Sequence, residues 1–208
     1  MIKGYNKKTK EQVLKDVAET VGGFGQLQPT FEKMIQTDEF KQMQWDFNEA
    51  DNVYFIGNGG NAPVCSHAAS DITRLTNKKC YALDNLSYVT SIANDYKYEN
   101  IFIKWLEDYI YPDMKSMVIG LSGSGNSKNV VSALAWANER YNISTALISG
   151  SPSNCLEENI TEVCVNQNYF HTVEVISEMT FYQLIHGTGN ACPTIKSELI
   201  RKYGKAGE

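Results

Sequence analysis

The sequence has few of the features that mark exported, membrane-bound or nucleic-acid-binding proteins. Its five cysteines form no Cys-x-x-Cys pair, so we expect reduced thiols rather than disulfides. No apolar run is long enough to cross a bilayer, and the first residues lack the apolar stretch of a secretory signal. The net charge of -5 disfavours non-specific binding to nucleic acid or anionic membranes. We therefore expect a cytoplasmic protein that binds neither.

The length of 208 residues suits a single domain with a complete core. Residues 7–20 and 29–50 are predicted helices that precede the first strand and carry no cluster of catalytic residue types. We expect residues 1–50 to form a helical arm that packs against another copy of the chain, although it could instead cover its own domain. Residues 51–190 would form the core. Residues 191–208 would form a tail, either a capping helix or a loose end.

From residue 52 onward, short apolar strands alternate with helical segments. Strands are predicted at residues 52–57, 79–83, 115–121, 143–149 and 161–166. Helices are predicted at about 62–75, 87–94, 98–110, 127–140, 153–158 and 171–187. This alternation predicts an α/β fold with a parallel sheet covered by helices on both faces. In such sheets ligands bind beyond the carboxyl ends of the strands, so the loops after the first and third strands are the candidate site.

The loop after the third strand has the composition of a phosphate-binding loop. This serine loop reads Ser122-Gly123-Ser124-Gly125-Asn126-Ser127 and leads directly into a helix. Glycines let the backbone approach a ligand, serines add hydroxyl groups, and the start of the helix favours an anion. Because the Gly-Lys-Ser/Thr ending of a nucleotide P-loop is missing, a monophosphate fits better than a triphosphate. The alternative is a plain strand-to-helix turn that a serine caps.

The loop after the first strand allows a second interpretation. This first loop, Gly57-Asn58-Gly59-Gly60-Asn61-Ala62, matches the Gly-x-Gly-x-x-Ala pattern of dinucleotide-binding domains, and Asp84 could then bind a ribose. A nicotinamide-dependent oxidoreductase is therefore an alternative. A second phosphate loop after the third strand would be unnecessary in such an enzyme, which favours a sugar-phosphate site.

Two histidine–carboxylate pairs lie on helices beside these loops. His67 and Asp71 are four residues apart, and Glu178 and His186 are eight apart with Tyr182 between them. Such spacings place each pair on one helix face. The four side chains could form a zinc site or an acid–base pair for catalysis. Each pair alone could equally be a satisfied core histidine or an exposed ion pair.

These motifs resemble those of phosphoheptose isomerases, a family of sugar-isomerase (SIS) domain enzymes. The resemblance rests on the first loop, on His67 and Asp71, on Ala93-Asn94-Asp95-Tyr96, on the serine loop, and on Glu178 and His186, which occur in the family's order. It covers essentially the whole chain.

The resemblance implies a flavodoxin-like fold with strand order 2-1-3-4-5 and a homotetramer whose active sites lie at subunit interfaces. It implies an intramolecular oxidoreductase that converts sedoheptulose 7-phosphate to D-glycero-D-manno-heptose 7-phosphate. The product would supply the heptose of bacterial lipopolysaccharide or capsule. One Zn²⁺ per active site is also implied.

The resemblance further implies a role for each matching residue. Asp71 and His186 would be catalytic, and His67, Asp71, Glu178 and His186 would line the metal. The implied substrate-binding residues are Asn58, Gly59, Gly60, Asn61, Asp95, Ser122, Gly123, Ser124, Ser127 and Glu178. The three serines among them would hold the phosphate.

The chain departs from the family pattern at three of these positions. Asp71 stands where the family usually has glutamate, Glu178 stands for glutamine, and Asn61 stands for serine. We expect Asp71 to be the base that moves the proton between C1 and C2, with Glu178 as the alternative base. Two other functions remain open: a non-catalytic SIS protein that binds sugar phosphate or associates with a replication initiator, and an isomerase of a different sugar phosphate.

Overall fold

The computed structural model describes residues 9–12, 15 and 24–204, and these contain a five-stranded parallel sheet with helices on both faces. The strands are β1 Asn52–Gly57, β2 Lys79–Ala82, β3 Ser116–Ser122, β4 Ile143–Ser149 and β5 Thr161–Cys164. Every neighbouring pair is parallel, and the order is β2-β1-β3-β4-β5. The predicted fold class and strand order are confirmed.

Eight α-helices have described bounds, and residues 10–12 and 15 are helical as well. The eight helices are α1 Leu27–Met34, α2 Asp38–Glu49, α3 Asn61–Leu75, α4 Leu86–Tyr96, α5 Ile101–Tyr109, α6 Lys128–Asn138, α7 Phe170–Gly187 and α8 Ile195–Tyr203. Short 3-10 helices occupy Phe24–Gln26 and Tyr98–Asn100. None of these described helices combines the length and the apolar character needed to span a membrane.

The N-terminal helices differ from the prediction. Most of the helix predicted at residues 7–20 lies outside the described residues. The helix predicted at residues 29–50 is two helices, α1 and α2, because a new helix start interrupts it at Thr37. The Thr37 hydroxyl accepts a hydrogen bond from the backbone N–H of Phe40 at 3.2 Å, which is the geometry of an N-cap.

The prediction of a helix at residues 153–158 is wrong, because side chains of β5 and the serine loop bind backbone N–H groups of this segment. Ser153 N donates to Glu162 Oε1 at 2.8 Å, and Asn154 N donates to Asn126 Oδ1 at 3.0 Å. These N–H groups tie the segment to β5 and to the serine loop. In the tail, which the sequence left open, the structure has the helix α8.

The strands divide the core into two layers because successive side chains of a strand point to opposite faces. Val53 and Phe55 of β1 pack with α2, α3 and α7, whereas Tyr54 and Ile56 pack with α5 and α6. All six residues of β1 and all seven of β3 are buried. Strands buried on both faces need continuous apolar runs, which is the pattern that the sequence shows.

Helix α2 belongs to the first of these layers. Its side chains Phe40, Met43 and Phe47 are buried against the sheet and α7. At least part of the predicted arm therefore covers the sheet of its own chain.

Gly120, in the middle of β3, lets α6 pack directly on the sheet. A Cβ atom at this position would lie 2.7 Å from Val130 Cγ1 and 2.9 Å from Leu134 Cδ1. Since both neighbours are fully buried, the Gly120→Ala variant should lose roughly 1–3 kcal/mol of unfolding free energy through overpacking. Urea denaturation would measure this loss. Val130→Ala should cost less stability in the Gly120→Ala background than in the wild type, because it removes the Cγ1 atom that the new methyl group meets. Unchanged stability in Gly120→Ala would contradict the close packing.

Candidate functional site

The two candidate loops lie side by side at the carboxyl edge of the sheet. The register pairs Gly57 at the end of β1 with Leu121 at the end of β3. The first loop and the serine loop therefore begin next to each other. This is the edge of a parallel sheet where ligands bind.

Hydrogen bonds within the serine loop fold it into a compact turn. Ser122 Oγ lies 2.9 Å from Ser127 Oγ and accepts from Ser127 N at 3.3 Å, while Gly125, at φ 73°, donates to Ser122 O. Ser127 is the N-cap residue of α6, yet its hydroxyl makes no capping bond. The Ser127 side chain therefore does not cap α6. Val130 N already donates to Ser127 O and to Asn129 Oδ1, so the N–H groups of Lys128 and Asn129 are the ones at this helix start that can serve an anion.

The three predicted phosphate-binding serines differ in accessibility. Ser124 is exposed and Ser127 is half-buried, whereas Ser122 is only 2% exposed. Ser122 is therefore shielded from a ligand and instead positions Ser127 through the hydrogen bond between their hydroxyl groups. The groups that the loop presents to a ligand are chiefly Ser124, Ser127 and backbone N–H groups.

Phe170, the first residue of α7, lies against the serine loop. A Cβ atom at Gly123 would lie 2.4 Å from Phe170 Cδ1. The ring is nonetheless 68% exposed, so it forms a wall beside the loop rather than part of the core. This contact explains the glycine at position 123.

Asn58 ties the first loop to two other segments. Its Nδ2 donates to Asn129 Oδ1 at 2.8 Å, and Asn129 Nδ2 donates back to Asn58 Oδ1 at 2.9 Å. The Tyr98 hydroxyl also donates to Asn58 Oδ1, at 2.8 Å. Asn129 belongs to the first turn of α6, directly after the serine loop. The amide predicted to line the sugar therefore fixes the first loop relative to the serine loop.

The backbone of Gly60 packs against the carboxylate of Glu174. A Cβ atom at Gly60 would lie 2.2–2.7 Å from the carboxylate atoms of Glu174. Gly60 is the N-cap residue of α3 and has no side chain with which to cap the helix. The Glu174 carboxylate lies beside this helix end, where the helix dipole favours an anion. A dinucleotide would need this place for its pyrophosphate, which disfavours the nicotinamide alternative.

His67 lies between two carboxylates. Its Nδ1 is 2.7 Å from Glu178 Oε1, and its Nε2 is 3.5 Å from Asp71 Oδ2. We call these three residues the acid–base cluster. Arg74 also contacts Asp71, with 3.0 Å between Nη2 and Oδ1. The side chains of Asp71 and Glu178 are 18% and 27% exposed, so the cluster remains open to a ligand.

Tyr182 borders the cluster one helical turn beyond Glu178. Its ring meets that of His67 edge to face, with centroids 6.3 Å apart. Burial raises the pKa of Tyr182, and the negative charges of Glu178 and Asp71 raise it further. The phenol is therefore held in its protonated form, which can donate a hydrogen bond beside the carboxylates.

The remaining predicted residues are less closely gathered. His186 is exposed and lies eight residues beyond Glu178, about 12 Å along the axis of α7. Asp95 is exposed in the last turn of α4, where it accepts from Asn94 Nδ2 at 2.9 Å. Asn61 is 7% exposed, and its buried Oδ1 has no partner among the described residues.

The described side chains do not fit the predicted zinc ion as they are arranged. Across residues 9–12, 15 and 24–204, no three His, Cys, Asp or Glu side chains are placed to hold one metal ion. Both ring nitrogens of His67 face carboxylates, which suits a hydrogen-bonded imidazole better than a metal ligand. His186 is two turns away. The zinc ion stays a prediction, and no step below depends on it.

A cavity of about 530 Å³ lies beside the candidate site rather than over it. Ser66, Ser70 and Thr73 of α3 line it together with Asp84 and Tyr88. His67 and Asp71 are absent from its lining. Asp84, the residue considered for ribose binding, thus faces a separate hollow at the β2 edge.

Sequence reasoning missed three residues that shape the site. Phe170 and Glu174 share a face of α7 with Glu178, and this four-residue spacing could have indicated both. Asn129 had no comparable signal, because an asparagine in the first turn of a helix is common and its partner lies far away in sequence.

Comparisons with known proteins confirm the resemblance that the motifs indicated. A phosphoheptose isomerase of Akkermansia muciniphila is 33% identical over 119 residues, which are 54% of this chain and 61% of that protein. One of Clostridium acetobutylicum is 34% identical over 137 residues, which are 62% of each. The chain spans about half to three fifths of the length of the curated relatives it matches. No family model matches the chain.

The structural comparisons show the same fold. A phosphoheptose isomerase from Neisseria gonorrhoeae superposes with a TM-score of 0.72 and 21% identity, covering 86% of this chain and 98% of that one. One from Francisella tularensis gives a TM-score of 0.72 at 16% identity, covering 88% and 99%. The chain therefore resembles phosphoheptose isomerases in sequence and has the SIS-domain fold.

The paired amides of Asn58 and Asn129 should be energetically coupled. Replacing each by alanine, singly and together, should give a coupling energy of about 0.5–3 kcal/mol in urea denaturation, because each amide loses its partner in either single variant. Asn77, which is exposed, provides the control: Asn77→Ala should not couple to Asn58→Ala. Additive losses for Asn58 and Asn129 would contradict the proposed tie between the loops.

Proposed function

We propose that this relative of the phosphoheptose isomerases is itself an aldose–ketose isomerase of a sugar phosphate. Its substrate would be sedoheptulose 7-phosphate and its product D-glycero-D-manno-heptose 7-phosphate. One observation carries the proposal: the N-terminal half of α7 contacts the serine loop at one end and the acid–base cluster at the other.

The distance between these two places suits a sugar phosphate. Phe170 lies against the serine loop and Glu178 against His67. Eight residues of α-helix separate them, about 12 Å along the axis. A seven-carbon sugar with its phosphate on the serine loop can therefore present C1 and C2 to Asp71.

The reaction requires only proton transfers. Asp71 takes a proton from C1 of the ketose, which gives an enediolate with its negative charge on the C2 oxygen. Asp71 returns that proton to C2, and the hydroxyl proton of the C1 oxygen passes to the C2 oxygen. The carbonyl is then on C1, and no other reactant is consumed. One carboxylate beside both carbons can perform both carbon transfers.

Two histidines are candidates for moving the hydroxyl proton. His186 was expected to be the partner of Asp71, and it lies two helical turns beyond the cluster. His67 is the imidazole that contacts Asp71 in this chain, and Glu178 orients it through Nδ1. We assign the proton relay to His67 on this geometry. Arg74 would hold the Asp71 carboxylate in place.

The proposal extends to the setting of the enzyme. The product would supply the heptose of a bacterial lipopolysaccharide or capsule, in the cytoplasm, and the chain would work as a homotetramer. Support for assembly comes from α8, whose apolar side chains Ile195, Leu199, Ile200 and Tyr203 are exposed. Exposed apolar faces of this kind favour contact with another surface.

Hydrogen exchange tests the activity directly. The protein is mixed with sedoheptulose 7-phosphate in deuterated buffer, and NMR follows the C1 protons and the appearance of the aldose. Aldose formation is the expected result, with deuterium at C1 to the extent that the Asp71 carboxyl proton exchanges with water before it reaches C2. Tight binding with neither aldose formation nor exchange would contradict the isomerase and favour a sugar-phosphate-binding SIS protein.

The variant Asp71→Asn should keep the site but lose the base. Turnover should fall by about 10²–10⁴-fold, the usual contribution of a general base. The dissociation constant for the phosphate ligand should change by less than about threefold, because the serine loop is untouched. Asp84→Asn, on the cavity at the β2 edge, is the matched control and should retain full turnover. Retained turnover in Asp71→Asn would contradict Asp71 as the base and would indicate Glu178 instead.

A further inference from the structure

Four side chains spaced by four residues line one face of α7. Phe170 contacts Gly123, Glu174 contacts Gly60, and Glu178 contacts His67. Tyr182 follows at the edge of the cluster. Residues four apart lie one above another on a helix face. This face therefore runs along the whole length of the candidate site.

Glu174 is the member of this face with no assigned role. It lies one turn beyond Phe170 and one turn before Glu178, about 6 Å along the axis from each. A substrate that reaches from the serine loop to Asp71 must pass it. Glu174 is half-buried, and its carboxylate lies against Gly60 of the first loop.

The first loop makes room for this carboxylate. Every heavy atom of the Glu174 carboxyl group would lie within 2.7 Å of a Cβ at Gly60, so any larger residue there would displace it. An ionised carboxylate only accepts hydrogen bonds. The sugar carbons between the phosphate and C2 carry hydroxyl groups, which are donors.

We propose that Glu174 is a specificity-determining residue that accepts hydrogen bonds from the hydroxyl groups in the middle of the sugar chain. It would select long, hydroxylated sugar phosphates over short phosphate esters, which bind the serine loop without reaching it. The inference rests on the proposed function, since it takes the substrate to lie between the serine loop and Asp71.

A purely structural role for Glu174 gives a different expectation. A carboxylate at the start of α3 could simply stabilise that helix. Its removal would then lower the stability of the protein and weaken all ligands alike. If Glu174 recognises the sugar chain, its removal would instead weaken the binding of long sugar phosphates and leave the binding of inorganic phosphate unchanged.

Calorimetric titration with two probes separates these roles. The probes are inorganic phosphate and the 7-phosphate of the reduced, seven-carbon sugar alcohol, which has no carbonyl and cannot isomerise. In Glu174→Ala, the dissociation constant of the sugar-alcohol phosphate should rise at least about 10-fold, while that of phosphate should change less than about twofold. Glu174→Gln retains an acceptor oxygen, so its dissociation constant for the sugar-alcohol phosphate should lie between those of Glu174→Ala and the wild type. Glu39→Gln, an exposed site on α2, should match the wild type.

The outcomes distinguish this inference from the proposed function. Equal weakening of both probes in Glu174→Ala, or no weakening of either, would overturn the role of Glu174 and leave the isomerase standing. Failure of the wild-type protein to bind the sugar-alcohol phosphate would overturn both.

Discussion

The packing of α7 across the carboxyl edge of the sheet is the contact on which the site depends. One face of this helix lies on Gly123, on Gly60 and on His67 in succession. Two of these partners are glycines because the helix side chains occupy the space that a Cβ would need. The backbone thus approaches α7 closely at both loops, and the spacing between them follows from the helix repeat.

The sheet holds the other side of the site. Parallel pairing of β1 with β3 brings their two loops together, and the paired amides of Asn58 and Asn129 fix them at one separation. Asn129 is only 5% exposed, and a buried amide is costly to leave without a hydrogen-bond partner. A phosphate on one loop would therefore be held at a constant distance from the carboxylates behind the other.

Local sequence patterns predicted most of the architecture. Apolar runs gave the five strands, and their alternation with helices gave a parallel sheet, because strands buried on both faces require that pattern. The order of the strands came from the family resemblance. The break at Thr37 and the irregular segment after Ser151 escaped prediction. In both, a side-chain oxygen binds backbone N–H groups, and in the second the oxygen comes from residues distant in sequence.

The site was predictable only where its residues follow a motif. The serine loop and the pair of His67 and Asp71 were found by spacing, and the structure brings Glu178 to them. The contacts of Glu174 and Asn129 depend on how α7 and α6 pack, which no single segment encodes. His186 shows the limit of spacing arguments, since a shared helix face does not by itself bring side chains together over two turns.

The arrangement of substrate along α7 is the central claim, and a crystal structure of the Asp71→Asn variant with sedoheptulose 7-phosphate tests it most directly. The phosphate should bind Ser124, Ser127 and the N–H groups at the start of α6, with C1 and C2 beside residue 71. A phosphate bound elsewhere, for example in the cavity that Asp84 and Tyr88 line, or a sugar chain that points away from α7, would contradict the account.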